Sequence, residues 1–311
     1  MLRRLLLAAS ASDRIRRAVT AAPVSRQLVA RYVAGADADD ALRVTRRLIG
    51  AGLTVSLDYL GEDTVSPQHA AAVAQEYVRL LGRLGDAGLA ARGRAEVSVK
   101  ATAVGLGLPA DGEKLAAENI VRICAAARNA GTTVTLDMED HQRVTPTLRL
   151  HAALRADFPD LGAVIQSYLR RSADDCAALA GSGSRVRLCK GAYSAPPDVA
   201  FSGRADVDRS YVRCMRILLD GAGYPMLATH DPRLIRIAGA AAGRQDRPDS
   251  GFEYQMLYGI RPAEQLRLAA AGAQVRVYLP YGSDWYGYLV RRLAERPANL
   301  AFFLRSLRSR G

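Results

Sequence analysis

The chain has 311 residues, of which 49% are hydrophobic and 24% are charged, a composition typical of a soluble globular protein. Its 43 lysines and arginines against 31 aspartates and glutamates give a formal charge of +12, but the basic residues occur singly or in pairs, which argues against nucleic-acid binding. The four cysteines are widely spaced and form no C-x-x-C pair, which argues against a disulfide scaffold and a zinc site.

The first 50 residues are predicted to form two or three helices, beginning with MLRRLLLAASASDRIRR at residues 1–17. The apolar run in this segment is short and is followed at once by Asp13 and further arginines. This pattern favours a basic amphipathic helix over an export signal. No stretch of the sequence approaches the roughly 20 apolar residues of a membrane span.

Eight short β-rich segments alternate with helical segments along the rest of the chain. The predicted strands cover residues 54–60, 96–103, 133–140, 161–168, 184–193, 225–231, 251–257 and 274–282. The segments between them are rich in alanine, leucine and arginine, and their apolar residues recur at helical spacing. Eight such units predict an α/β fold, a single (β/α)8 TIM-type barrel over residues 51–311, with residues 1–50 packed on it as a helical segment.

Polar and charged residues concentrate at the carboxyl ends of the predicted strands, where the active sites of such barrels lie. In chain order they are Asp58, Glu62, Lys100, Asp137, Glu139, Asp140, Gln166, Arg187, Lys190, Tyr193, Thr229, His230, Glu253, Gln255 and Tyr278. Charged groups in strands buried on both faces cost several kcal/mol unless they are paired or used. The pattern therefore predicts a functional site at this end of the barrel.

Several common catalytic motifs are absent. The sequence has no H-E-x-x-H, G-x-S-x-G or P-loop motif and no G-x-G-x-x-G that opens a helix after a strand. The four histidines have no metal-ligand spacing, and we interpret His141 and His151 as surface or capping residues. The predicted pocket is rich in arginine, lysine, tyrosine and acidic residues, which suits an anionic small ligand and a cofactor that carries the reaction.

The segment YLVRRLAERPAN at residues 288–299 predicts a helix with one apolar and one polar side. Tyr288, Arg291, Arg292 and Glu295 lie at i, i+3, i+4 and i+7 and therefore fall on one stripe of the helix. The helix follows the eighth strand, so its first part is expected near the barrel mouth. Two guanidinium groups on one stripe can hold a carboxylate through bidentate, charge-assisted hydrogen bonds.

Seven successive segments resemble motifs of the proline dehydrogenase family, the flavin enzymes that oxidise L-proline to Δ1-pyrroline-5-carboxylate. The segments are SVKATAVGL, TLDMEDH, VIQSYLRRS, RLCKGAYSAP, ATHD, FEYQMLYGIRP and RVYLPYGSDWYGYLVRRLAERPAN. The resemblance implies a distorted (β/α)8 barrel that binds FAD non-covalently at the carboxyl ends of the strands. It also implies that the last helix lies over the barrel mouth.

The resemblance implies roles for residues around the substrate. The residues similar to the family's substrate-binding residues are Lys100, Arg291 and Arg292 for the carboxylate, and Leu257, Tyr278 and Tyr288 for the proline ring. Asp137 resembles the catalytic acidic residue beside substrate and flavin. Glu62 resembles a gate, an acidic residue that pairs with Arg291 when substrate is bound.

A second set of residues is implied to contact FAD by the same resemblance. These residues are Met138, Gln166, Arg187, Lys190, Gly191, Ala192, Thr229 and His230. Arg187 resembles the residue near the reactive nitrogen of the flavin and is therefore implied to act in catalysis, while Gln166 resembles a residue that bonds the polar edge of the ring. For Glu295 two roles stay open: it orients the arginines or it touches the cofactor.

The sequence departs from the family pattern at Ala195, where a glutamate is common, and at Asp231, where an asparagine is frequent. We expect these changes to alter only local loop pairing. A chain of this length lacks room for the aldehyde dehydrogenase and DNA-binding regions of bifunctional relatives, so we expect a separate pyrroline-5-carboxylate dehydrogenase for the next step. The resemblance further implies a membrane quinone as electron acceptor and a cytoplasmic location with peripheral membrane contact.

Two other functions stay open. A flavin-barrel reductase that uses NAD(P)H would have the same fold and cofactor, although the paired arginines and Tyr278 favour a small amino acid as ligand. A non-catalytic basic protein that binds nucleic acid or a membrane surface would be colourless and would bind polyanions with a steep salt dependence. The basic helix at residues 1–17 is compatible with docking on anionic lipid.

Overall fold

The computed structural model of the chain describes residues 29–61, 64–245 and 247–295, and for residues 291–295 it describes the backbone alone. Within these residues, eight parallel strands close into a barrel in chain order. They are β1 (Thr54–Tyr59), β2 (Ala95–Lys100), β3 (Val134–Asp137), β4 (Gly162–Gln166), β5 (Arg185–Cys189), β6 (Tyr224–Ala228), β7 (Glu253–Leu257) and β8 (Val275–Tyr281). Pairing of β1 with β8 closes the barrel, and the predicted fold is confirmed.

Helices alternate with the strands, as the apolar spacing predicts. They are α1 (Ala38–Gly50), α2 (Pro67–Asp86), α3 (Gly112–Asn129), α4 (Val144–Leu154), α5 (Ser172–Leu179), α6 (Arg204–Asp220), α7 (Pro232–Arg244), α8 (Pro262–Ala270) and α9 (Tyr286–Glu295). Two of them begin with a capping residue followed by proline. Ser66 accepts from the backbone N–H of His69 at the start of α2, and Asp231 accepts from that of Arg233 at the start of α7.

All eight predicted strands exist, but several end earlier than predicted. The segment predicted over residues 96–103 stops pairing at Lys100, and the one predicted over 184–193 stops at Cys189. The chain turns at these points into the loops that follow the strands, so the last polar residues of each predicted strand belong to a loop. The side chains at the strand ends therefore project towards the loops at the carboxyl end of the barrel.

The two faces of the strands differ in character. Apolar residues on the outer face, such as Val186 and Leu188 of β5, are buried in one large cluster with the helices. Polar residues on the other face meet across the barrel, because Arg187 of β5 contacts Ser56 of β1, and Tyr278 of β8 contacts Asp137 of β3. Non-adjacent strands can meet only through the interior, so this barrel has a charged interior instead of the usual filling of branched apolar residues.

The predicted N-terminal helical segment is covered by the described residues only in part. Residues 29–32 are helical and α1 follows, while residues 1–28 lie outside the described part of the chain. Among the described helices, none combines the length and the apolar character that crossing a membrane requires. The cysteines are free thiols, of which Cys124, Cys176 and Cys214 are buried.

His151 corrects an expectation from the sequence. The reading of this residue as a surface or capping group is wrong, because its side chain is 1% exposed and its Nε2 lies 3.0 Å from the carbonyl oxygen of Leu161. Burial lowers the pKa of His151 below its usual value. The residue follows Thr147 by one turn on the buried face of α4, and this spacing is the signal in the sequence that could have placed it inside.

Arg247 connects loops at one end of the barrel through hydrogen bonds. Its guanidinium donates to backbone carbonyl groups on both sides of β6, namely those of Leu219, Gly221, Gly223 and Gly251. We expect Arg247→Ala to reduce the free energy of unfolding by about 2–3 kcal/mol, because several carbonyl groups lose a charged donor. Thermal unfolding measures this loss. Arg236→Ala, on the exposed face of α7, is the control. An equal fall in Tm in both variants would contradict the prediction.

Candidate active site

Arg187 lies at the centre of the hydrogen-bond network inside the barrel. Its Nε donates to Gln255 Oε1 at 2.5 Å, and its Nη1 donates to Asp137 Oδ1 at 2.6 Å. Two serine hydroxyls also accept from the guanidinium, Ser98 Oγ at 2.8 Å and Ser56 Oγ at 3.1 Å. Only 4% of the residue is exposed. The network therefore holds this guanidinium in one orientation with charged and neutral acceptors around it.

Asp137 joins Arg187 to Tyr278. The hydroxyl of Tyr278 donates to Asp137 Oδ2 at 2.5 Å, while Oδ1 accepts from Arg187. The guanidinium carbon of Arg187 lies 5.2 Å from the centre of the Tyr278 ring, within the range of a cation–π contact. Burial, together with the negative charge of Asp137, raises the pKa of Tyr278 well above its ordinary value. The phenol is therefore a hydrogen-bond donor throughout the physiological pH range.

Lys100 is held by a residue for which the sequence suggested no role. Its ammonium group donates to both carboxylate oxygens of Asp58, at 2.7 and 3.0 Å. Burial raises the pKa of Asp58; Lys100 opposes this shift, whereas the charge of Asp137 adds to it. Lys100 and Asp137 are also direct neighbours in the pairing of β2 with β3. Lys100, Asp137, Arg187 and Tyr278, which sequence reasoning singled out separately, thus lie together.

A second layer of charged groups lies deeper in the barrel, and of its members Glu96, Arg185, Glu253 and Arg276 the sequence pattern indicated only Glu253. Glu96 accepts from Arg185 at 2.8 Å and lies 3.7 and 3.9 Å from Arg187 and Arg276, while Arg276 donates to Glu253 at 2.8 Å. Burial by itself would raise the pKa of Glu96. The charges of the three arginines outweigh burial and lower the pKa of Glu96 to about 2. The signal in the sequence was alternation, because polar residues alternate with apolar ones in AEVSVK and in the first four residues of RVRLC.

The end of β4 lies against the loop after β3. The side-chain amide of Gln166 donates to the carbonyl oxygen of Glu139 at 2.7 Å, and the Glu139 carboxylate accepts from the backbone N–H of Thr102 at 3.1 Å. Burial raises the pKa of Glu139. Met138 is buried in a small apolar cluster with Tyr168. The residues predicted to contact a flavin ring, Met138 and Gln166, therefore belong to adjacent elements.

Polar groups after β5 and β6 form a third part of the site. Lys190 Nζ lies 2.5 Å from an oxygen of Asp208 and 3.6 Å from one of Asp231. Thr229 is buried, and its hydroxyl oxygen accepts from the backbone N–H of Asp231. Hydrogen bonds from Arg233 lower the pKa of Asp231. Asp231, where the family often has asparagine, thus pairs with Arg233 next to it in this loop.

Gly191 permits a close approach of the chain to Tyr168. Its φ is +91°, and a Cβ at this position would lie 2.3 Å from the Tyr168 ring, so other residues do not fit. Ala192 follows it and is exposed. Within the described residues, Ser167 Oγ and Tyr168 Oη are buried without a hydrogen-bond partner. Such atoms cost about 1–3 kcal/mol each, which fits a site completed by another molecule.

The apolar residues predicted around a substrate ring come together at the barrel mouth. Tyr288 of α9 is buried in a cluster that Leu257, at the end of β7, packs against. The backbone N–H of Leu257 donates to His230 Nε2 at 2.9 Å, which links this cluster to the end of β6. Arg291, Arg292 and Glu295 lie in α9, but their side chains are outside the described part.

The gate predicted at Glu62 also lies outside the described residues, so its pairing with Arg291 stays a prediction. The flanking residues are described. Leu60 belongs to the apolar cluster of Tyr288, and Thr64 donates from its hydroxyl to the carbonyl oxygen of Ala103. On one side of the undescribed residues, Leu60 therefore packs with α9, and on the other side Thr64 bonds to the loop after β2.

Comparison with known proteins gives one family. A family model described as proline dehydrogenase matches residues 41–305. The chain is 40% identical over 282 residues to the proline dehydrogenase of Deinococcus radiodurans, covering 90% of each chain. It is 38% identical over 277 residues to proline dehydrogenase 1 of Bacillus subtilis, covering 89% of each chain.

A solved structure of a proline utilization protein is also similar to this chain. Proline utilization A from Bdellovibrio bacteriovorus, inactivated by N-propargylglycine, superposes with a TM-score of 0.79 at 26% sequence identity. The match covers 86% of this chain and 32% of that one, so this chain corresponds to about a third of that protein's length.

Proposed function

The chain belongs to the proline dehydrogenase family, and from this premise we propose that it oxidises L-proline to Δ1-pyrroline-5-carboxylate with FAD as its cofactor. This reaction is the first step of proline degradation to glutamate. The observation that carries the proposal is the cluster of Lys100, Asp137, Arg187 and Tyr278 inside the barrel. These side chains combine cations, a carboxylate and an aromatic face in one place.

The substrate offers three features that the site can recognise. We assign its carboxylate to Lys100, together with Arg291 and Arg292, because cations form charge-assisted hydrogen bonds with carboxylates. We assign its apolar ring to Leu257, Tyr278 and Tyr288, and the first and last of these side chains already belong to an apolar cluster. The cluster excludes water from one side of the ring.

The amine of proline must lose its proton before the adjacent carbon is oxidised, because the nitrogen lone pair forms the new double bond. We assign the amine to Asp137. Both oxygens of this carboxylate are held, by Arg187 and by Tyr278, which limits its movement. A fixed carboxylate can orient the amine and stabilise its charge on entry to the site.

The strand ends around β4 to β6 suit the proposed cofactor. Gln166, Thr229 and His230 offer polar groups for the ring and ribityl chain, and Lys190 offers a cation for phosphate. Met138, Arg187, Gly191 and Ala192 would supply the remaining contacts. When bound, FAD would supply the hydride acceptor for the reaction. The buried, unpartnered hydroxyls of Ser167 and Tyr168 are compatible with this use.

We further propose that electrons pass from the cofactor to a membrane quinone and that a separate dehydrogenase oxidises the product. The family resemblance supports both points. The basic segment at residues 1–17 is proposed to bring the protein to the membrane surface. Co-sedimentation with anionic liposomes tests this contact, and equal binding after deletion of residues 1–17 would contradict it.

The proposed reaction is tested by an absorption spectrum of the purified protein, repeated anaerobically after addition of L-proline. A flavin band that bleaches with proline but not with NADH supports the proposal. A band that bleaches only with NAD(P)H would indicate a reductase with the same fold. The absence of a flavin band after reconstitution with FAD would contradict the cofactor assignment and favour a non-catalytic basic protein.

We expect Arg292→Lys to raise KM for L-proline, with a loss on the order of 2–3 kcal/mol in kcat/KM, because an ammonium group cannot reproduce the planar fork of a guanidinium. Steady-state kinetics measures both constants. Arg216→Lys, at an exposed position of α6, is the matched control and should behave as wild type. A normal kcat/KM for Arg292→Lys would remove this residue from the carboxylate site.

A further inference from the structure

Gln255 lies between the candidate site and the deeper charged layer of the barrel. It is 3% exposed and follows Glu253 by two residues in β7, so both side chains project from the same face of the strand. Gln255 Oε1 accepts from Arg187 Nε at 2.5 Å, and Gln255 Nε2 donates to Glu253 Oε1 at 2.5 Å. The amide therefore joins the arginine of the site to a carboxylate of the deeper layer.

The orientation of this amide follows from its two partners. The guanidinium of Arg187 can only donate, so it requires the carbonyl end of Gln255. The Glu253 carboxylate accepts from Arg276, so it requires the amino end. Exchange of the two ends would place donor against donor and acceptor against acceptor. Gln255 is therefore held in one of its two amide orientations.

The far end of this chain of hydrogen bonds is attached to the backbone. Glu253 accepts from Arg276 Nε at 2.8 Å and from the hydroxyl of Tyr224 at 3.3 Å. The Arg276 guanidinium also donates to the carbonyl oxygens of Val55 at 3.0 Å and Gly93 at 3.1 Å. Bonds that reach β1, β6 and β8 therefore limit the movement of Glu253 and of the amide bonded to it.

The bond to Nε adds a constraint to those that the other partners of Arg187 provide. Asp137, Ser98 and Ser56 accept from the two terminal nitrogens of the guanidinium, whereas Gln255 accepts from the nitrogen at its base. Nε carries one hydrogen, so this bond uses the whole donor capacity of the atom. Contacts at the base and at the tips together fix the plane of the guanidinium.

We propose that Gln255 is a positioning residue, which fixes the plane of the Arg187 guanidinium through the hydrogen bond to Nε. The inference rests on the proposed function and deepens it, because that function assigns Arg187 to the flavin. Gln255 acts through Arg187 and is not a catalytic residue. A cation in a fixed position favours the reduced flavin, which carries more negative charge, and a small displacement of that cation lowers the rate.

The main test is Gln255→Met, which keeps the length of the side chain and removes both polar ends. In the holoenzyme, we expect the rate constant of anaerobic flavin reduction by L-proline to fall about tenfold, while KM stays within about twofold of wild type. Two-electron reduction of the flavin should become about tenfold less favourable, which corresponds to a fall of about 30 mV in its reduction potential. Stopped-flow absorption and spectroelectrochemical titration measure the two effects.

Asn119→Leu is the matched control for the loss of a buried amide. Asn119 of α3 is 3% exposed, donates to the carbonyl oxygen of Val104 at 3.0 Å and accepts from Arg122 at 3.4 Å. We expect this variant to have a lower Tm and the wild-type reduction potential. If Gln255→Met also has the wild-type potential, the role of Gln255 is structural and the proposal is overturned.

Gln255→Glu tests the hydrogen bond in a side chain of nearly the same shape. The new carboxyl group would lie against Glu253, and two carboxyl groups in contact cannot both ionise easily, so one of them keeps a proton. While the new group holds that proton, its hydroxyl donates to Glu253 and its carbonyl oxygen accepts from Arg187, as the amide does. The charged and titratable groups that contact this position, or contact its two partners, are Arg187, Glu253, Arg276, Tyr224, Glu96 and Asp137.

The reduction potential of Gln255→Glu should therefore equal that of wild type at about pH 6. It should fall below the wild-type value as the pH rises, because loss of the proton places a negative charge beside Arg187. A deficit at about pH 6 as large as that of Gln255→Met would overturn the proposal. This variant also decides the matter if Gln255→Met does not fold.

Hydrogen exchange at Arg187 Nε tests the positioning without flavin chemistry. NMR of protein with isotope-labelled arginine measures this exchange, and the signal is assigned by its absence in Arg187→Lys. We expect exchange about tenfold faster in Gln255→Met than in wild type or Asn119→Leu, because a buried hydrogen bond is lost. Equal exchange in all three proteins would overturn the proposal. If the wild type does not oxidise proline, the proposed function fails, and this exchange still decides whether Gln255 holds Arg187.

Discussion

Asp137→Asn should lower kcat/KM for L-proline by about a hundredfold to a thousandfold, in a protein that folds and retains FAD. Asparagine has the shape of aspartate but no charge. Its amide would place N–H groups against either Arg187 or the Tyr278 hydroxyl, both of which donate to Asp137. Arg187 would lose its closest charged partner, and the substrate amine would lose the carboxylate assigned to it.

Anaerobic stopped-flow reduction by L-proline measures this loss directly, because it isolates the step before electrons leave the cofactor. The matched control is Asp140→Asn, three residues further along the chain. The Asp140 carboxylate accepts from the backbone N–H of Gln142 within its own loop. We expect the control to be reduced at the wild-type rate. If Asp137→Asn were reduced as fast as the control, Asp137 would have no catalytic role.

Glu96→Gln should reduce the free energy of unfolding by about 3–5 kcal/mol, because removing one partner of a buried ion pair leaves the other uncompensated. Glu96 is fully buried, with Arg185, Arg187 and Arg276 within 4 Å of its carboxylate. A loss of this size corresponds to a fall in Tm of about 5–10 °C. Differential scanning calorimetry measures it.

The effect of Glu96→Gln should also depend on pH. The arginines lower the pKa of Glu96 in the folded protein to about 2, against 4.5 for the free group. Its contribution is therefore fully present above pH 4.5 and is lost as the pH falls through about 2. The Tm difference between wild type and Glu96→Gln should narrow over that range.

Glu113→Gln is the control for this prediction. Glu113 pairs with Arg149 at 2.7 Å, but both side chains are more than half exposed, and exposed pairs contribute at most about 1 kcal/mol. We expect a small Tm change that is similar at every pH. A Tm for Glu96→Gln as high as that of Glu113→Gln would mean that the deep charged layer does not hold the barrel together.

Much of the fold could be predicted because its signals are local. Alternation of β-rich and helical segments reports on burial within a few residues, and eight strands follow from eight such segments. The ends of the strands were predicted less accurately, because strand pairing stops where the chain turns into a loop. His151 was misplaced for a related reason: a polar residue type was weighed above its position on the buried face of α4.

Some residues of the candidate site were predicted from the sequence, and others were not. Residues at strand ends were found from their position, and the family resemblance then gave them roles. Glu96 lies deeper in its strand and was overlooked, while Glu253 was noted without a partner. Asp58 was noticed but had no partner along the sequence, since Lys100 lies 42 residues away. Pairing of this kind depends on closure of the barrel, which no short segment encodes.

The sequence by itself determined the class of fold, the family and the kinds of side chain at the strand ends. Only the tertiary structure decided which of these side chains meet. Closing the sheet brings β5 opposite β1 and β8 opposite β3, so Arg187 reaches Ser56 and Tyr278 reaches Asp137. Local spacing sets which face a residue occupies, but contacts between distant strands arise from the curvature and register of the whole barrel.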